Sequence, residues 1–108
     1  MRILVDECID ERLRHEFSPY DCQTARYAKL AGLKNGELLA AAQAAGFDVI
    51  ITMDQNIPFQ QSLKSRTIAV LVLCAPTNRL ADLRKLAPAA PTALATIQPG
   101  ELVNIRNL

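Results

Sequence analysis

Three carboxylates occupy positions from which they can do chemistry together. Asp6 follows the apolar run Ile3-Leu4-Val5, and Asp54 follows Val49-Ile50-Ile51-Thr52-Met53. Glu37 comes two residues after Asn35, a residue suited to capping a helix N-terminus. Acids that end strands of one parallel sheet point to the same edge, and a helix that follows a strand begins at that edge. The chemistry served by three such acids is divalent-metal binding. Mg²⁺ and Mn²⁺ prefer oxygen ligands, and Mg²⁺ is commonly held by one or two carboxylates plus waters and substrate phosphates. Without an ion the carboxylates would repel one another. With one or two ions the site can activate water and steady the leaving oxygen of a phosphodiester.

Each acid also has a purely structural use. Glu37 favours a helix N-terminus by about 0.3–1 kcal/mol. Asp54-Gln55-Asn56 suits a turn, where Asp and Asn bond their own backbone. Asp6 is harder to explain structurally, because an ionised side chain at the end of a buried strand needs partners. Glu7, Asp10 and Glu11 read as a solvated helix start, with Glu7 also able to lend an oxygen to the site. Asp48 begins a strand and belongs to the opposite edge. Arg12, Arg26, Lys29 and Lys34 are candidates to border the pocket and hold substrate phosphates. The single His15 falls on a polar helix face, and Cys8, between acids, packs rather than reacts, because acids disfavour the thiolate.

The elements that must position these residues alternate along the chain. Residues 2–6 form a strand, and Ile9, Leu13 and Phe17 recur at helical spacing until Pro19. Residues 21–25 make a short strand, and a helix runs from Asn35 towards Gly46. A third strand covers 48–53, Pro58 opens a helix reaching about Ser65, and the fully apolar run 67–74 is a central strand. Asn78 suits a cap for a helix through Leu86, Pro88 and Pro91 interrupt the next segment, and 101–106 alternates as an edge strand. This order predicts an α/β protein, a three-layer α/β/α sandwich with a mainly parallel central sheet. Its 108 residues suit one domain, residues 1–108.

Composition narrows the classes further. No apolar run approaches the ~20 residues of a membrane helix, and the first residues lack a signal-peptide layout. Cys8, Cys22 and Cys74 are odd in number and lack zinc-site spacing, so they read as thiols in a reducing cytoplasm. The net charge of +1 announces no basic field, and 5% aromatics with no Trp leave little material for stacking bases. The near-neutral total conceals a split: residues 1–54 carry six basic and nine acidic side chains, a net −3, against +4 for the remainder. All three candidate acids lie in the acidic half.

Leu-Val-Asp-Glu-Cys (4–8), Gly-Leu-Lys-Asn-Gly-Glu-Leu-Leu (32–39) and Ile-Thr-Met-Asp-Gln-Asn (51–56), in that order and spacing, resemble the compact bacterial PIN-like proteins. These are small relatives of the PIN-domain ribonuclease toxins of toxin–antitoxin systems. The resemblance covers about residues 1–106. It implies a PIN-like sandwich in which Asp6, Glu37 and Asp54 bind Mg²⁺ or Mn²⁺ for RNA cleavage, supported by Glu7, Asn35 and Asn56. It further implies RNA as substrate and an antitoxin protein as possible partner. At position 56 the family often carries another acid, where this chain has Asn, which offers a carbonyl oxygen without charge. Two other readings stay open: a non-catalytic PIN-like binding protein, and a receiver domain phosphorylated at Asp54. Strand 101–106 and the Ala/Pro-rich stretch 87–95 leave a homodimer open as well.

Overall fold

The computed structural model describes residues 1–17, 19–33, 35–55, 63 and 66–106. The chain forms five strands, of which β1, β3 and β4 are its apolar runs: β1 Arg2–Val5, β2 Asp21–Thr24, β3 Val49–Thr52, β4 Ala69–Cys74 and β5 Leu102–Arg106. They form one sheet in the order β2-β1-β3-β4-β5, and every pairing is parallel. A parallel sheet is covered on both faces, which is why Val49, Ile50 and Ile51 and the run Ala69–Leu73 are buried without alternation.

Alternate strand residues feed two separate cores. Ile3, Val5, Ile51, Leu71 and Leu73 pack against Leu13 and Phe17 and against the later helices α2 (Leu80–Leu86) and α3 (Ala90–Thr96). Leu4, Ile50, Val70 and Val72 pack on the other side against Leu38, Leu39 and Ala42 of α1 (Asn35–Ala44). Helices therefore cover both faces of the sheet, and the fold is the α/β arrangement expected of alternating strands and helices. The expected edge position of 101–106 and interior position of 67–74 are both observed.

Three local structures differ from expectation. The segment Glu11–Phe17 winds as a 3-10 helix rather than an α-helix. It is tied at its start by Leu13 N–H to Asp10 O (3.0 Å), and it still buries Leu13 and Phe17. Helix α2 starts later than an Asn78 cap implies: Arg79 holds the cap position without a side-chain bond. Thr77 does the local work instead, accepting from Arg79 N–H at 3.1 Å and donating to Asp82. Pro88 and Pro91 end α2 but then open new helical turns, a short 3-10 turn at Ala87–Ala89 and α3. Proline's missing N–H costs nothing in a first turn. The expected helix from Pro58 to about Ser65 lies outside the described residues, apart from Leu63, which is buried in the α1-side core.

Helix α1 ends as its sequence directs. Gly46 has φ +88°, its N–H reaches Gln43 O at 3.1 Å, and Phe47 N–H reaches Ala42 O at 3.0 Å. This is a Schellman cap, and Phe47 joins Ala42 in the core. Arg2 covers the same end: Nη1 donates to Ala45 O at 2.6 Å, and the guanidinium lies 4.5 Å from the Phe47 ring centroid. Asp48 sits at this amino edge, accepting from Arg2 N–H at 2.8 Å, far from the acids of the opposite edge.

Candidate functional site

Between β1 and β3 the chain's strand order changes direction, and ligands of open α/β sheets bind outside the carboxyl ends at such a switch. Asp6 stands there. Its N–H donates to Ile51 O at 2.9 Å, continuing the β1–β3 ladder by one residue. That registers Asp6 beside Thr52, the last residue of β3, on the face that carries Leu4 and Ile50.

Thr52 is completely buried, and its hydroxyl serves two partners. It donates to Asp6 Oδ2 at 2.8 Å and accepts from the Asp54 N–H at 3.1 Å. The Asp6 carboxylate is held further by the Glu7 N–H on Oδ1 (2.8 Å) and by Cys8 Sγ, which donates to Oδ2 at 3.5 Å. One strand-end threonine thus links the carboxylate after β1 to the backbone of the acid after β3. Nothing in the spacing of the acids points to Thr52, which reads as a β-branched strand residue; its only marker is a hydroxyl at the end of an otherwise apolar strand.

Cys8 lies 3.6 Å from Thr52 Oγ1. Burial pushes its thiol pKa above the ordinary 9.0, and the neighbouring Asp6 charge adds to the rise, so at neutral pH it remains a thiol. All three cysteines are free.

The other expected site residues divide. Glu37 lies exposed in the first turn of α1, which starts at Asn35 and runs from the carboxyl edge along the sheet face that Asp6 shares. Asp54 is exposed at the same edge. Glu7 is engaged in the scaffold: its Oε1 accepts from Gly32 N–H at 3.1 Å, fastening the loop that leads into α1. Arg12 is committed to Asp10 through Nε–Oδ1 (3.0 Å) and Nη2–Oδ2 (2.7 Å). Those bonds hold the Asp10 carboxyl down at about 2. Arg26 joins Asp6, Glu7, Glu11, Thr24 and Ile9 in lining a cleft of about 160 Å³. Lys29 is exposed on the turn beside it, and His15 is exposed as expected. Lys34 and Asn56 lie outside the described residues.

Among the described residues, no three His, Cys, Asp or Glu side chains form a group that can hold a metal ion. Asp6, Glu37 and Asp54 therefore share an edge without closing into a three-carboxylate cage. The donor set nevertheless suits a hard cation: Asp6 is oriented by donors, and Oδ1, with the Glu7 N–H as its one donor here, keeps a lone pair to offer while Oδ2 accepts from Thr52 and Cys8. One or two carboxylates, completed by waters and phosphate oxygens, are what Mg²⁺ ordinarily takes from a protein. Comparison of the chain with family models, with curated proteins and with solved structures found no match.

Proposed function

We propose that this protein is a Mg²⁺- or Mn²⁺-dependent ribonuclease of PIN-like type, cleaving RNA phosphodiester bonds at the carboxyl edge of its sheet. Asp6, Glu37 and Asp54 are its metal-binding and catalytic carboxylates. The observation that supports this most is the Asp6–Thr52–Asp54 linkage at the switch point: a carboxylate fixed in orientation by a buried hydroxyl that also ties down the next acid. Preorganised oxygens of this kind are what a site for a hard cation requires. The ion, when bound, supplies charge neutralisation at the phosphate and a more acidic water. Asp6, Glu37 and Asp54 would hold it, and Glu7 keeps the loop leading into α1 in place.

Within the same reading, the protein acts as the toxin of a toxin–antitoxin pair, with an antitoxin protein as partner. Free thiols suit a cytoplasmic setting. Among the described residues, no helix is long and apolar enough to cross a membrane. β5 is an edge strand of the sheet, and a second copy would pair along it in a homodimer.

The test is cleavage of a mixed RNA pool with Mg²⁺ or Mn²⁺ by the wild type and by the Asp6→Asn/Asp54→Asn double variant. Cleavage by the wild type alone supports the nuclease. No cleavage by either, over a broad pool, assigns the chain to the non-catalytic binding proteins instead. One observation favours a second reading, a phosphoacceptor at Asp54: the order β2-β1-β3-β4-β5 is a common doubly wound order, with Asp54 at its switch point. Against it, β4 runs into Cys74-Ala75-Pro76 with no hydroxyl directly after the strand, and β5 offers Arg106 but no Lys. Incubation with acetyl phosphate decides the matter, since only a phosphoacceptor gains a phosphoryl group at Asp54.

A further inference from the structure

The turn after β2 presents an aromatic ring and two cations beside the acidic cleft. Tyr27 is 73% exposed, and the only other exposed large apolar side chain among the described residues is Met1. Its neighbours Arg26 and Lys29 are also exposed, and Arg26 lines the cleft that contains Asp6. The turn is not a loose tip. Ala25 N–H donates to Val5 O at 2.9 Å, one residue before Asp6, and Ala25 itself is buried. Tyr27 N–H donates to Thr24 Oγ1 at 3.1 Å, and Ala28 N–H to Thr24 O at 3.0 Å.

The turn closes with Leu30 N–H on Ala25 O (2.8 Å) and Lys29 N–H on Arg26 O (3.1 Å). That is the Schellman pattern, whose left-handed position normally takes glycine. Lys29 fills it, with φ +62°, the one positive φ outside glycine among the described residues. A long cationic side chain therefore sits at a left-handed position that glycine would occupy with less strain. Such strain at an exposed position suggests a use for the charge.

We propose that the turn Ala25–Leu30 is the RNA-engaging element. Tyr27 stacks on an unpaired base while Arg26 and Lys29 hold the flanking phosphates, leading a single strand into the cleft at Asp6. The inference rests on the ribonuclease reading and adds the form of the RNA. A ring of this kind needs a base whose face is uncovered, which a single strand offers and a duplex does not. The two cations supply what the cleft's own acids Asp6, Glu7 and Glu11 cannot, since Arg12 is already paired with Asp10. One exposed tyrosine is thus enough for a single base, although the chain has too few aromatics for an extended platform.

The chain has no Trp, so Tyr27→Trp places a single indole fluorophore on the turn. Titrated with single-stranded oligoadenylate RNA in Mg²⁺, this variant is expected to lose fluorescence as the base stacks, and to show little change with the oligoadenylate–oligouridylate duplex. Tyr27→Ala should weaken single-strand binding by about tenfold. Lys29→Gly should keep or raise the thermal midpoint, because glycine relieves the left-handed strain, yet weaken binding and lower the salt slope by about 0.7. Bound single strand without quenching, or Lys29→Gly and Tyr27→Ala binding as tightly as wild type, overturns the inference. If those variants also cut RNA normally, the nuclease reading survives that failure. Quenching and weakened binding without any cleavage keep the RNA turn and remove the nuclease.

Discussion

Removing the Thr52 hydroxyl deprives two partners at once. In Thr52→Val, Asp6 Oδ2 loses its 2.8 Å donor, and the Asp54 N–H loses the acceptor that holds it. Losing two hydrogen bonds made by a buried hydroxyl, one of them to a carboxylate, costs about 1–3 kcal/mol, so urea unfolding should show that loss for Val and much less for Thr52→Ser. A Val variant as stable as wild type would mean the hydroxyl holds neither acid. A second prediction concerns thiols. Burial first, and then the Asp21 charge, push Cys22 up to about 11 from 9.0. A folded-state pKa above the unfolded one gives stability that is complete below about 9 and lost as pH climbs towards 11. Cys22→Ser should flatten that alkaline decline in a thermal-midpoint profile from pH 8 to 11, the upper bound being the folded-state value. Asp6 is visible in the sequence because a carboxylate ends an apolar run. Thr52 is not, because its partner lies 46 residues away and only the strand register joins them.

At the scale of elements, two glycines with the same φ test what a cap is worth. Gly32 and Gly46 both have φ +88°. A Cβ at Gly32 would meet nothing within 4 Å, whereas one at Gly46 would come within 2.9 Å of Arg2 Nη1. Gly32→Ala should therefore carry only the left-handed penalty of about 1 kcal/mol. Gly46→Ala should carry that penalty and also displace the Arg2 guanidinium from Ala45 O and the Phe47 ring, for a total of about 2 kcal/mol. Chemical denaturation of both variants checks the order; equal losses would show that Arg2 moves away freely. Strand positions and the Gly46 stop were legible because buried parallel strands and left-handed glycines leave plain local patterns. The 3-10 winding of Glu11–Phe17 was not, since Ile9, Leu13 and Phe17 satisfy an α-helical period equally well. Nor was the sheet order, because Val49–Thr52 and Ala69–Cys74 are interchangeable as apolar runs until they pair.

For the whole molecule, charge and topology meet at one edge. The acidic half of the chain supplies β1, β2, α1 and β3, and its Asp6, Glu37 and Asp54 lie towards the carboxyl ends of those strands. The more basic half supplies β4, the later helices and β5. A near-neutral total therefore hides an edge rich in carboxylates, which repels phosphate unless a cation is bound there, so the proposed function depends on metal binding. The same edge was foreseeable from three acids ending or opening elements. That they stop short of a three-ligand group was not, because distances across the sheet edge depend on strand order and on the loop Glu7 fastens. The most direct measurement is the thermal midpoint of the metal-free protein titrated with Mn²⁺, for the wild type and for Asp6→Asn/Asp54→Asn. An ion that binds only the folded state stabilises it by about 2.7 kcal/mol at one hundred times its Kd. The wild-type midpoint should rise with Mn²⁺ while that of the double variant stays flat; an equal rise in both would place the metal elsewhere and contradict the site.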